Sequence, residues 1–267
     1  MIAYPNIDPV ALSLGPIKVH WYGLMYLLGF YGWWWLSVRR ARLPHLQHWN
    51  AQKISDLLFY AVLGVILGGR LGYTLFYNFD GFIADPASII RIWQGGMSFH
   101  GGLLGVIAAF FVFARVHKLG FFAVADFAAV AVPFGLFTGR IGNFINGELW
   151  GSVTTLPWGM VFPTGGPLPR HPSMLYEALL EGLVLLAILW VYGKKPRPVG
   201  SISGLFLLGY GAFRFAIEFV RTPDAHIGYL YGTTWFTQGM QLSLPMVLAG
   251  LALMFWGYKT LDVGRGR

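Results

Sequence analysis

Seven apolar runs, at about 18–37, 56–77, 97–115, 122–139, 173–192, 201–220 and 241–258, are each long enough to cross a bilayer as a helix. A span takes about 20 residues, and its backbone amides must find partners inside the segment. With 56% hydrophobic and 11% charged residues, the chain is too apolar for a soluble domain of 267 residues. The expected fold class is an all-α polytopic membrane protein with about seven transmembrane helices. No linker and no internal repeat divides it, so residues 1–267 read as one domain. Gly64, Gly68 and Gly72, like Gly101 and Gly105, recur at four-residue spacing and point to close helix packing.

The loops set the orientation. Twelve of the 19 Lys and Arg residues fall in alternate loops: Arg39, Arg40, Arg42 and Lys53; Arg115 and Lys118; Lys194, Lys195 and Arg197; Lys259, Arg265 and Arg267. The positive-inside rule puts these loops in the cytoplasm, the N-terminus outside and the C-terminus inside. A net charge of +8 distributed in this way is a topology signal, so no nucleic-acid partner is expected. The absence of cysteine excludes disulfides, thiolate nucleophiles and Cys-ligated metals. No cleavable signal peptide is expected, because the first run has neither a basic flank nor a small-residue cleavage site. The outer loops should form a small head; the one at 152–172 holds five prolines and no acid.

With that orientation, the polar residues inside the runs gather toward the outer leaflet. His20, Tyr22 and Tyr26 fall in the outer half of the first helix, and Arg70 toward the outside of the second. His100 opens the third, Arg140 and Asn143 end the fourth, and Tyr176, Glu177 and Glu181 start the fifth. Tyr210, Arg214 and Glu218 share one face of the sixth. Ionisable groups cost about 2.5–3.5 kcal/mol each at a helix centre and face a cavity or a partner. Arg214 and Glu218 could simply neutralise each other and tie helices together, and Glu177 and Glu181 could neutralise separate arginines such as Arg70. His100 reads equally as a base, a ligand contact or a satisfied helix-end histidine.

The stretch 138–151 is the densest in polar groups, with Arg140, Asn143, Asn146, Glu148 and four glycines. It reads as backbone opened so that polar groups can meet a ligand. Arginine's planar fork matches phosphate oxygens and keeps its charge when desolvated. The residues alone therefore describe an enzyme or a transporter that handles an anionic lipid.

The motifs His20–Tyr26, 68–73, 95–102, 139–148, 170–177, 210–218 and 221–224 resemble those of the bacterial prolipoprotein diacylglyceryl transferase family, in order along nearly the whole chain. One departure is Gly239-Met240-Gln241-Leu242-Ser243, where the glutamine stands one place later than in that family. The resemblance implies an inner-membrane enzyme with its active site toward the periplasmic leaflet. It would move the sn-1,2-diacylglyceryl group of phosphatidylglycerol to the lipobox cysteine of a prolipoprotein signal peptide, giving a thioether and glycerol phosphate. No metal or organic cofactor is called for. By the same resemblance Arg140 and Arg214 would hold the phosphate and stabilise it as it leaves, and His100 would deprotonate the thiol. Tyr26, Arg70, Asn143, Asn146, Glu148, Gly151, Tyr210, Glu218 and Arg221 would bind substrate. A lipid or solute transporter with an outer-leaflet phosphate site is the alternative from another class.

Overall fold

The structure, a computed structural model, describes residues 2–223 and 227–265. Asp224 of the last motif and the basic Arg267 lie outside the described residues. Two compact units form, one of Met1–Ser37 with Asp126–Arg267 and one of Val38–Ala125.

The first unit begins with strands β1 (Val10–Leu14) and β2 (Ile17–His20), an antiparallel hairpin turned at Gly15, whose φ is +61°. The chain is mostly helical, as expected, but this short hairpin moves His20 from the first helix to the end of a strand. Apolar residues at Val10, Leu12 and Leu14, followed by Gly15-Pro16, are a hairpin pattern hidden beside a much stronger helical run. Helix α1 (Trp21–Arg40) follows.

The second unit is built on α2 (Ala51–Tyr77), followed by the short α3 (Phe79–Ala84), two single 3-10 turns and α4 (Phe99–Val116). Gly64, Gly68 and Gly72 bring the α2 backbone against Gly101 and Gly105 of α4. A Cβ on Gly105 would collide with the Gly64 carbonyl, so the spacing seen in the sequence does serve close packing. Gly105→Val should cost more than about 3 kcal/mol and dissolve this pair. Gly120→Ala, whose added methyl meets nothing within 4 Å, should change thermal unfolding in detergent by less than about 0.5 kcal/mol.

Helix α5 (Phe121–Ala129) and α6 (Val132–Ile145) meet at a 47° bend. Pro133 in the first turn of α6 has no N–H to continue the α5 ladder. The stretch expected as opened backbone is therefore helical through Ile145, and it opens only at Asn146. The break comes earlier, at the proline. Next come α7 (Ser173–Glu177), a π-helical segment over Ala178–Val184 and α8 (Leu185–Tyr192), which together make one long helix. Helices α9 (Ser201–Glu218) and α10 (Gln238–Arg265) end the chain and approach closely at Gly204 and Gly250. The buried Asp126 caps α9, accepting from the amides of Gly200 and Ser203 at 2.7 Å each.

Among the described residues four helices are long and apolar enough to cross a membrane: Ala51–Tyr77, Phe99–Val116, Ser173–Tyr192 and Gln238–Thr260. The bent pair α5 and α6 makes a fifth if it counts as one span. The other two expected spans are helices as well, but their composition is more polar. Helix α1 is dense in Trp and Tyr, and α9 carries Arg214 and Glu218 among three glycines. The protein is thus a mostly helical membrane protein, with a small non-helical cap on the first unit. Met160 and Phe162 of that cap and Met174 of α7 are buried against Tyr4, Trp150 and Phe144 of α6.

Candidate functional site

Three helices of the first unit bring their charges to one place. Arg140 and Asn143 are three apart on α6, and Glu177 and Glu181 lie four apart on the helix through α7 and the π segment. Arg214 and Glu218 are four apart on α9, with Arg221 just beyond its end. Gly182 lets Phe137 of α6 approach the π segment closely. Such widened turns recur at functional sites because they re-aim side chains within a helix.

Glu177 is the hub. It is fully buried and faces three guanidinium groups: Arg140 Nε at 2.6 Å, Arg221 Nη1 at 2.7 Å and Arg214 Nη1 at 3.2 Å. Glu218 pairs with Arg214 Nη2 at 2.6 Å and Arg221 Nε at 3.0 Å, and it accepts a 2.6 Å hydrogen bond from Thr237. Among the described residues Glu181, also fully buried, makes one ion pair, with Arg140 Nη2 at 3.9 Å. Glu177 and Glu181 therefore share Arg140 rather than each neutralising a separate arginine. The Arg214–Glu218 pair is one edge of a larger lattice and not an isolated tie between helices.

Arg140 also starts a polar chain. Its Nη1 donates to Asn143 Oδ1 at 3.3 Å; Asn143 Nδ2 donates to Glu148 Oε1 at 2.9 Å, and Asn146 Nδ2 donates to the same oxygen at 3.3 Å. One network thus joins Arg140, Asn143, Asn146, Glu148, Arg214, Glu218 and Arg221, seven of the residues expected from the sequence. The arginines keep 12–20% of their side-chain surface exposed, whereas the carboxylates behind them are sealed. That asymmetry presents cations, not anions, to whatever approaches.

Other expected residues take different positions. Tyr26 is half-exposed on α1, its hydroxyl 3.4 Å from that of Tyr22, whose ring packs on Gly142 of α6. Tyr210, one turn before Arg214, packs against the apolar cluster of Ala129, Leu185 and Leu189. Gly151 is a backbone junction: its amide donates to His171 O at 2.8 Å, its carbonyl accepts from Arg170, and it pairs with Arg221 as an isolated bridge. A side chain there would strike the Val220 carbonyl, so the glycine fixes where Arg221 sits. His171 meets the Tyr176 hydroxyl at 3.2 Å, and burial pushes its imidazole below the usual range. Thr237 was not foreseen, because a threonine at a helix start carries no signal of the distant carboxylate it reaches.

Arg70 and His100 belong to the second unit. Arg70 is buried, and its five N–H groups go to the backbone carbonyls of Ser88, Ile89, Arg91, Gly95 and Gly96. It holds the turns that lead into α4. His100 is exposed in the first turn of α4, behind the capping residue Ser98 and edge-on to Phe99.

Residues 9–256 match the family model described as prolipoprotein diacylglyceryl transferase. Over 259 residues the chain is 59% identical to the phosphatidylglycerol–prolipoprotein diacylglyceryl transferase of Pseudomonas paraeruginosa, covering 97% of each chain. The enzyme of the same description from Vibrio vulnificus is 60% identical over 97% of this chain and 94% of its own. That of Coxiella burnetii is 56% identical over 97% and 98%.

Proposed function

The chain belongs to the prolipoprotein diacylglyceryl transferase family, and we propose that it transfers the sn-1,2-diacylglyceryl group of phosphatidylglycerol to the lipobox cysteine of a prolipoprotein. The observation that carries this is the near-complete match, at 56–60% identity, to three enzymes that bear that name. In the reaction the thiol sulfur attacks the glyceryl carbon that bears the phosphate ester. A C–S bond forms, the C–O bond breaks with its electron pair on the phosphate oxygen, and glycerol phosphate leaves.

Arg140 and Arg214 hold the phosphodiester and stabilise the charge that grows on its oxygens. Their partly open faces over sealed carboxylates support that role. Asn143, Asn146 and Glu148 orient Arg140, while Glu218 orients Arg214 and holds Arg221 beside it. Tyr26 and Tyr210 line the path of the substrate, and Gly151 sets the position of Arg221. Arg70 acts by shaping the turns before His100. The family resemblance assigns to His100 the thiol proton, which an unperturbed cysteine releases near pH 8.5.

The enzyme is a single domain in the bacterial inner membrane, with seven spans, its N-terminus and head in the periplasm, its C-terminus in the cytoplasm and its site toward the outer leaflet. Purified protein, phosphatidylglycerol and a lipobox peptide should give a diacylglyceryl adduct on cysteine, detected by mass spectrometry, with glycerol phosphate released. A Cys→Ser peptide should give none. A folded protein that binds phosphatidylglycerol yet forms no adduct would shift the assignment to transport.

A further inference from the structure

The charge lattice has one member that does not fit. Arg140, Arg214 and Arg221 balance Glu177, Glu181 and Glu218 formally, and Glu148 adds a further carboxylate at the end of the amide chain. Glu177 accepts a hydrogen bond from Arg221, Glu218 one from Thr237, and Glu148 two from asparagine amides. Glu181 is as deeply buried as Glu177, yet neither of its oxygens has a hydrogen-bond partner among the described residues. A sealed carboxylate with no donor is an unfavourable place for a full negative charge.

Now add the ligand. A phosphodiester brings one more negative charge to a lattice with no cation to spare, in a setting where screening is weak. Either the anion binds against an excess of like charge, or one carboxylate gives up its own. The groups that face Glu181 are Glu177 on its own helix, Arg140 from α6, Tyr210 and Arg214 from α9, and Arg221 beyond it. Of the three carboxylates in the lattice, Glu181 alone would lose no hydrogen bond on taking a proton. Doing so would also free Arg140 Nη2, with which Glu181 makes its 3.9 Å ion pair, to turn toward the incoming oxygen.

We propose that Glu181 is the proton-holding residue of the site: its carboxyl carries a proton whenever a phosphate-bearing headgroup sits on the arginines. This rests on the assignment of phosphatidylglycerol as substrate. The proton keeps the lattice charge constant as the anion arrives, and it couples lipid affinity to pH without any contact between Glu181 and the lipid.

Calorimetry with short-chain dihexanoyl phosphatidylglycerol, run in buffers of different ionisation enthalpy from about pH 6 to about pH 9, counts the protons taken up. In the wild type, uptake should rise toward one proton per headgroup as pH rises, and affinity should fall by up to about 10-fold per pH unit. Glu181→Gln, close in shape and unable to titrate, should bind with no uptake and a flat pH profile. Wild-type binding without uptake anywhere in the range overturns the inference by itself, whatever the variant does. Undiminished uptake in Glu181→Gln overturns it as well. No binding by the folded wild type at any pH would instead sink the assignment of phosphatidylglycerol, and this inference with it.

Discussion

Arg140→Ala should lower diacylglyceryl transfer by about 100- to 1000-fold while the protein remains inserted and folded. The figure is the usual loss when one donor aimed at a developing oxyanion is removed. The fold should tolerate it because the lattice is redundant at this corner. Glu177 keeps Arg214 and Arg221 at 3.2 and 2.7 Å, and Asn143 keeps its 2.9 Å bond to Glu148. Function should not tolerate it, since Arg140 joins the carboxylate lattice, through Glu177, to the amide chain, through Asn143, and keeps part of its own side chain exposed. Arg140→Lys retains the charge but loses the fork that pairs with Glu177 through Nε and Asn143 through Nη1 together, so it should recover only part of the rate. Initial rates from the peptide mass assay, set against the amount of folded protein, decide the matter. Near-wild-type turnover by the alanine variant would remove Arg140 from the phosphate clamp.

The membrane character and the arginines of this site were legible in the sequence for different reasons. An apolar run of 20 residues has few physical alternatives, and a charged residue inside one must be answered by a partner. Hence Arg140, Arg214 and Glu218 stood out. The pairing was not legible. Which carboxylate meets which arginine depends on the rotation of α6, the π segment and α9 about their axes, and a widened turn at Ala178–Val184 shifts that rotation without any residue that announces it. Arg70 shows a position that side-chain patterns do not reveal. A buried arginine suggests a ligand, but the backbone of a turn can satisfy a guanidinium completely, and those carbonyls have no signature in side-chain chemistry. The hairpin before α1 was hidden because its second strand runs straight into an apolar helix.

Glu177→Ala should cost about 3–5 kcal/mol of stability, the usual penalty for removing one partner of a buried ionic group. Here one carboxylate serves three guanidiniums, from α6, from α9 and from the segment after it. Without it, the ion pair Arg140 retains among the described residues is that to Glu181 at 3.9 Å, and three cations repel one another around an empty volume with Glu181 and Glu218 left to answer them. Glu177→Gln separates charge from shape. It can still accept one hydrogen bond, so it should fold better than the alanine variant, yet it leaves the lattice with an excess positive charge. If the arginines bind phosphate, that excess should tighten dihexanoyl phosphatidylglycerol binding even as stability falls. Unfolding in mixed micelles and lipid titration would then move in opposite directions. A Glu177→Ala protein within about 1 kcal/mol of wild type would show that the lattice does not hold α6, the π segment and α9 together. The arginines would then owe their positions to packing alone.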